Sequence, residues 1–362
     1  MNIIEFARKR NETFEELPFD YMDALVLSQV TYVRLEASYE GSLTPLRELY
    51  LGEYFEEYFN DSICDNQNMD MLGAVACSRR YRNINITNIE SSVNEKKGEQ
   101  FAVITFEILN DLEFIGFRGT DGTMVGWKED CMLSICDSIP AQLSAVDFVN
   151  RHYDDQNNKR FIIGGHSKGG NLAAYAAAFS NESIRHRIDK VYCFDSPGFL
   201  NAVNEAIGSN LNNSNIAIKK FVPQDSIIGM LLEDDNDYKV IRTNTRNIMQ
   251  HSIYNWIIED DNLVYADTLS FPSLFFDRTM QDWFLVATED ERRTFVEAVF
   301  NVLESNNIQE VSDLQNVGIK RLMQMISQFK TYDDETLHAV ESMLKSLVKS
   351  ATKQLIIEGK RK

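Results

Sequence analysis

The chain has 362 residues, 44% of them hydrophobic and including 22 Phe and 14 Tyr, enough for one large buried core and an appended piece. An excess of 55 acidic over 36 basic residues gives a net charge of -19. That charge argues against a sequence-independent nucleic-acid binder and disfavours docking on anionic lipid. The first ten residues contain no continuous apolar run and no later segment reaches spanning length, so a soluble protein without a standard export signal is expected. Five scattered cysteines (Cys64, Cys77, Cys131, Cys136 and Cys193) suit a reducing, cytoplasmic compartment. Cys131 and Cys136 match no zinc spacing, and no metal or cofactor is expected.

In chain order, residues 19–30 read as an acidic cap and an amphipathic helix. Residues 46–59 continue as helix, with Tyr50, Tyr54 and Tyr58 in one stripe that reads as core or as the wall of an acyl pocket. Residues 101–109 and 112–117 are β-rich runs around Asn110-Asp111, which predicts a hairpin. A helix at 141–155, a strand at 159–163 and an Ala-rich helix from Asn171 follow. Further strands are predicted at 190–194, 216–222 and 238–242. This alternation predicts an α/β protein, a mostly parallel sheet flanked by helices. Residues 271–276 read either as a lid or as a core or interdomain strand. From about Thr279 the pattern changes to charged periodic helices at 289–304, 311–328 and 334–357. Two parts are therefore expected: residues 1–278 with the sheet and N-terminal helices, and 279–362 as a helical extension ending in a solvated basic tail, Gly359-Lys360-Arg361-Lys362.

The most informative segment is Gly164-Gly165-His166-Ser167-Lys168-Gly169-Gly170, placed between the apolar run Phe161-Ile162-Ile163 and the Ala-rich helix. A strand that reverses into a helix within one turn needs glycines on both sides, and it holds the intervening side chain out on a strained corner. A Walker-type loop would need Gly-Lys-Ser/Thr at its end, whereas here the serine precedes the lysine. The segment is the nucleophile elbow of an α/β-hydrolase fold, with Ser167 as nucleophile.

A serine hydroxyl needs an imidazole base oriented by a carboxylate. In this fold the order is Ser, acid, His, which leaves His186, His251 and His338. His186 comes too early for an acid strand to precede it, and His338 lies in the helical extension. His251, after the last predicted strand, is the candidate base. His166 is expected to pack under the elbow, because neighbours on a sharp corner point apart. Two acids at strand ends compete for the orienting role. Asp225 is favoured and Asp195 is assigned to the turn with Ser196-Pro197-Gly198. One oxyanion donor is the N–H of Lys168, and the second is expected from the Gly-rich turn after 114–117.

The combination of Phe117-Arg118-Gly119-Thr120, Trp127, Gly165-His166-Ser167-Lys168-Gly169-Gly170 and Phe194-Asp195-Ser196-Pro197-Gly198 resembles the class 3 lipases over about residues 100–256. It is closest to a bacterial branch without an assigned substrate, which shares a segment like Asp23 to Gln29. The resemblance implies that Thr120 supplies the second oxyanion contact, through its N–H and its hydroxyl, and it supports Asp225 as the acid. Lys168 stands where the family has an apolar residue and Asp195 where it has glycine, departures that weigh against triglyceride as substrate. Arg118 and Asp130 are expected to pair structurally, with contact to an acidic substrate as the alternative, and Lys168 to point to solvent, where it could attract an anionic head group. The expected activity is carboxylic ester hydrolysis on a small or lipid-like substrate. Its rivals are a non-catalytic binding protein on the same fold and a thioesterase or peptidase using the same residues.

Overall fold

Alternation of side chains along the strands builds a core on each face of one sheet. In β4 (Leu112–Phe117) and β6 (Ile188–Phe194), Phe114, Tyr192 and Phe194 pack into one cluster, while Ile115, Phe117, Val191 and Cys193 pack into the other. The computed structural model describes all residues except 60–63, 154–158, 233–236, 287, 309, 311–312, 314–316 and 360–362. Among the described residues this sheet has eight strands in sequential order: β1 (Thr44–Pro45), β2 (Asn85–Asn94), β3 (Glu99–Leu109), β4, β5 (Arg160–His166), β6, β7 (Ala217–Pro223) and β8 (Tyr238–Ile241). β1 to β4 pair antiparallel and β4 to β8 parallel.

The helices α1 (Ile3–Lys9), α2 (Tyr21–Val30), α3 (Phe55–Tyr58) and α4 (Asp65–Cys77) precede the main strands, and residues of α1, α2 and α4 fill the first core. Asp20 caps α2 through a reciprocal box with Asp23, as the acidic start of that segment predicts. After β4 come α5 (Met124–Met132), α6 (Pro140–His152), α7 (Lys168–Phe179), α8 (Glu182–Arg185) and α9 (Asn201–Ser214); α6, α7 and α9 fill the second core. This is the expected α/β architecture, with crossover helices on a mostly parallel sheet.

Local readings fail where tertiary bonds outweigh helical pattern. Residues 46–59 are not one helix but two 3-10 turns, Leu46–Glu48 and Gly52–Tyr54, followed by the short α3. The N–H groups of Leu46 and Arg47 donate to the carbonyls of Ile84 and Arg82, and Gly52 interrupts the remainder. The sequence reading passes over β2, whose polar residues Asn85 to Asn94 lack a clean apolar alternation; its pairing with β3 defines it.

Residues 271–276 do not form a strand; they begin α10 (Phe271–Val286), a helix that crosses position 278. The buried Ser273 hydroxyl ties it to the carbonyl of Ser226 at 2.6 Å. Beyond it lie α11 (Glu289–Ser305) and the helices Ile319–Gln328 and Asp334–Gly359. The first part of the predicted 311–328 helix and the end of the basic tail fall partly outside the described residues.

Candidate active site

Between β5 and α7 the chain turns at Ser167, which has φ 57° and ψ -134°. A non-glycine residue is held in that region only when its surroundings fix it, and here the Ser167 N–H donates to the carbonyl of Phe194 at 2.9 Å. The flanking glycines permit the approach: a Cβ on Gly169 would lie 2.1 Å from the Phe117 carbonyl oxygen, and one on Gly165 2.3 Å from the Gly169 carbonyl carbon. β4, β5 and α7 can therefore meet behind the serine only if both positions lack side chains.

His251 ends a 3-10 turn, Asn247–His251, and its side chain is 25% exposed. Its Nδ1 lies 2.7 Å from Asp195 Oδ2. An ionised carboxylate only accepts, so Nδ1 carries the proton and Nε2 keeps a free lone pair. Asp195 sits one residue past β6 with φ 43°, a conformation that glycine takes freely and aspartate tolerates. Its other oxygen accepts from Ser226 Oγ at 2.5 Å and from the Gly229 N–H at 3.2 Å. Three donors thus fix this buried carboxylate.

Asp225, the acid favoured from the sequence, is not on the imidazole. Its Oδ2 accepts from the Asn247 N–H and from Gln250 Nε2, both at 2.9 Å, while its own N–H donates to Gln250 Oε1 at 2.8 Å. Asp225 clamps the turn that presents His251. The one sequence feature that pointed to Asp195 as the partner of His251 is its place at a strand end, which it shares with Asp225.

His166 lies under the elbow as expected and is buried. Its ring sits 4.5 Å, centroid to centroid, from that of His251. Burial lowers its pKa well below the ordinary value, so the ring is neutral. Its Nε2 lies 2.8 Å from the His251 carbonyl, which can only accept; Nε2 therefore bears the proton and Nδ1 accepts from the Tyr32 hydroxyl at 3.0 Å. Burial raises the Tyr32 pKa and keeps that phenol protonated. His251 is consequently held at its ring by Asp195 and at its backbone by His166.

The Gly119–Thr120 turn follows β4 beside Ser167, where a Cβ on Gly119 would lie 3.1 Å from Ser167 Cβ. Thr120 Oγ1 donates to Asp130 Oδ2 at 2.6 Å, so its hydroxyl proton is committed and its N–H is the group left for an oxyanion. Arg118 does not pair with Asp130. It makes a bidentate bridge to Glu36 at 3.0 and 2.9 Å and donates to the carbonyls of Thr31 and Val33, which anchors the segment carrying Tyr32. Nor does Lys168 reach solvent: its side chain is 1% exposed, and Nζ donates to Glu129 Oε2 at 2.8 Å and to Gln100 O and Oε1 at 2.9 and 2.7 Å. The glycine-lined elbow places Lys168 at the start of α7 with its side chain directed back toward α5.

Asp130 has one oxygen buried without a hydrogen-bond partner, 4.0 Å from Lys168 Nζ. Burial pushes its pKa from 3.8 up to about 6, against the opposing pull of Lys168. The cost of burying this charge is absent below the ordinary value, grows as pH rises toward about 6 and is constant above. Asp130→Asn, which keeps an acceptor for Thr120, is therefore expected to stabilise the fold by about 1–2 kcal/mol at neutral pH, after allowance for solvent screening. The gain should vanish below about pH 4 when thermal unfolding is followed across pH; a constant difference would contradict the assignment.

Among the described residues no group of three or more His, Cys, Asp and Glu side chains is arranged to hold a metal ion. No helix among them is long and apolar enough to cross a membrane.

The sheet, the crossover helices and a serine on a strained strand-to-helix corner define a protein of the α/β-hydrolase fold, with a lipase-like arrangement. The chain belongs to the Mbeg1-like family, which it matches over residues 75–301. No curated protein matches it. Among solved structures it is similar to a fungal lipase in an inhibitor complex, at 13% identity and a TM-score of 0.37 over 62% of this chain and 80% of that one. It is also similar to lipase II from Rhizopus niveus, at 11% identity and a TM-score of 0.36 over 67% and 79% of the two chains. A third is a triacylglycerol lipase whose catalytic centre is described as a serine protease triad, at 13% identity and a TM-score of 0.37 over 65% and 83%. At such identities the likeness concerns the path of the backbone and transfers no residue's role.

Proposed function

We propose that the protein is a serine hydrolase of carboxylic esters, with Ser167 as nucleophile, His251 as base and Asp195 as the acid that orients it. The observation that carries this reading is the 2.7 Å contact of His251 Nδ1 with the buried Asp195, on a histidine whose carbonyl is bonded to the residue preceding Ser167. In the proposed cycle, Ser167 Oγ attacks the ester carbonyl while its proton passes to His251 Nε2, and Asp195 stabilises the imidazolium. The N–H groups of Lys168 and Thr120 hold the oxyanion. His251 then protonates the departing alcohol, and water, deprotonated by the same ring, releases the acid from the acyl-enzyme.

Five unpaired cysteines support a reducing compartment such as the cytoplasm. A small or lipid-like ester fits the reading best. A thioester or peptide would use the same residues, and a substrate screen separates these.

The direct test is a fluorophosphonate probe together with turnover of short p-nitrophenyl esters. Labelling is expected at Ser167, and Ser167→Ala should remove the label and lower kcat by about six orders of magnitude. A parent protein that neither labels nor turns over would instead be a binding protein on a hydrolase fold, and retained turnover in the alanine variant would exclude Ser167 as nucleophile.

A further inference from the structure

Of 55 acidic residues in the chain, none lies between Val317 and Tyr332, a stretch that carries Lys320, Arg321 and Lys330. That stretch holds the helix Ile319–Gln328. Its Met325 is buried, but Leu322, Met323 and Ile326 are 47%, 60% and 50% exposed. Positions 322, 323 and 326 are neighbours on a helical surface, so the exposed apolar side chains form one face. An apolar face with basic residues close by, on a chain otherwise dominated by acids, has the composition of a helix that lies in a lipid headgroup layer. The net charge of -19, which disfavours anionic lipid on average, hides this local exception.

The position of the helix relative to the elbow gives that composition a use. Met325 belongs to a buried cluster with Val302 and Ile308, against which Met124 of α5 packs. Thr123, the N-cap of α5, bridges to Glu310. The helix is thereby tied to the element whose preceding turn carries Thr120, and α5 also exposes Trp127 at 39%, a residue type that favours the membrane–water boundary.

We propose that the helix Ile319–Gln328 docks the protein on an anionic lipid surface, with Leu322, Met323 and Ile326 entering the headgroup layer and Lys320 and Lys330 meeting its charge, while Arg321 donates to the Asn306 carbonyl at 2.6 Å. The site then draws its ester from that surface. This last step rests on the hydrolase reading above; the docking itself does not.

The test is co-sedimentation of the full chain with vesicles of phosphatidylcholine alone or mixed with phosphatidylglycerol, at low and high salt. Binding to the mixed vesicles is expected to be at least about tenfold tighter than to the neutral ones and to weaken at high salt. It should be lost both in a variant combining Leu322→Ser, Met323→Ser and Ile326→Ser and in one combining Lys320→Gln and Lys330→Gln. Thermal unfolding and turnover of a soluble short ester should match the parent in both. Equal binding to the two vesicle types, or undiminished binding by the folded variants, would overturn the proposal. So would a parent dimer that the serine variant abolishes, which would place a second copy on this face. Vesicle binding without ester turnover would refute the hydrolase reading alone, and turnover without binding the docking alone.

Discussion

Asp195→Asn is expected to lower kcat for short esters by about four orders of magnitude with little change in KM, whereas Asp225→Asn should cost less than about tenfold. The first substitution removes the charge that holds the imidazolium. It also places an amide against His251 Nδ1, where an NH2 facing the ring would impose the wrong tautomer and take the lone pair from the nucleophile side. The network around Asp195 does not adapt to this, because Ser226 Oγ and the Gly229 N–H already donate to the second oxygen and orient the group. Asp225 makes a different kind of contact: its acceptor oxygen holds the Asn247 N–H and Gln250 Nε2, a task an asparagine oxygen can perform. Steady-state kinetics of the two variants decide the matter, and the reverse ranking would restore Asp225 as the acid and remove Asp195.

Lys168→Met should destabilise the fold by about 3–5 kcal/mol, read as a shift of the denaturation midpoint. Lys168 and Glu129 are each 1% exposed at the side chain. Removing the ammonium leaves a buried carboxylate whose remaining partners, the N–H groups of Gln100 and Ala141, are neutral dipoles. It also takes the balancing charge from Asp130, 4.0 Å from Nζ. The pair ties the start of α7, whose first N–H is the proposed oxyanion donor, to α5, so kcat should fall along with stability. Adding Glu129→Leu should recover part of the loss, because no uncompensated carboxylate then remains at that position. An unchanged midpoint in the single variant would show that water reaches the pair and would end the argument from burial.

The elbow was readable because its chemistry is local. Strand, glycine-flanked serine and Ala-rich helix lie within one short run of chain, and backbone sterics alone dictate which residues can occupy the corner. The hairpin at Asn110-Asp111 and the parallel strands were readable for the same reason, since each depends on a period of two and on turn residues beside it. The order of elements and the small number of histidines also singled out His251, the histidine whose Nδ1 meets Asp195.

The carboxylate facing that histidine could not be read in this way. Asp195 and Asp225 both end strands, and β6 and β7 are neighbours, so sequence distance does not separate them. The choice depends on the φ of 43° that turns Asp195 inward and on Gln250, which occupies Asp225. The fate of Lys168 was equally hidden, because a lysine reads as solvated until a carboxylate 39 positions earlier is brought beside it. By itself the sequence determined the hairpin, the parallel strands and the glycine-flanked corner at Ser167, all set by periodicity and by backbone geometry within a few residues. Only the tertiary structure decided which carboxylate faces His251, the buried ion pair and the exposure of the helix Ile319–Gln328, because each depends on which distant groups share a volume from which water is excluded.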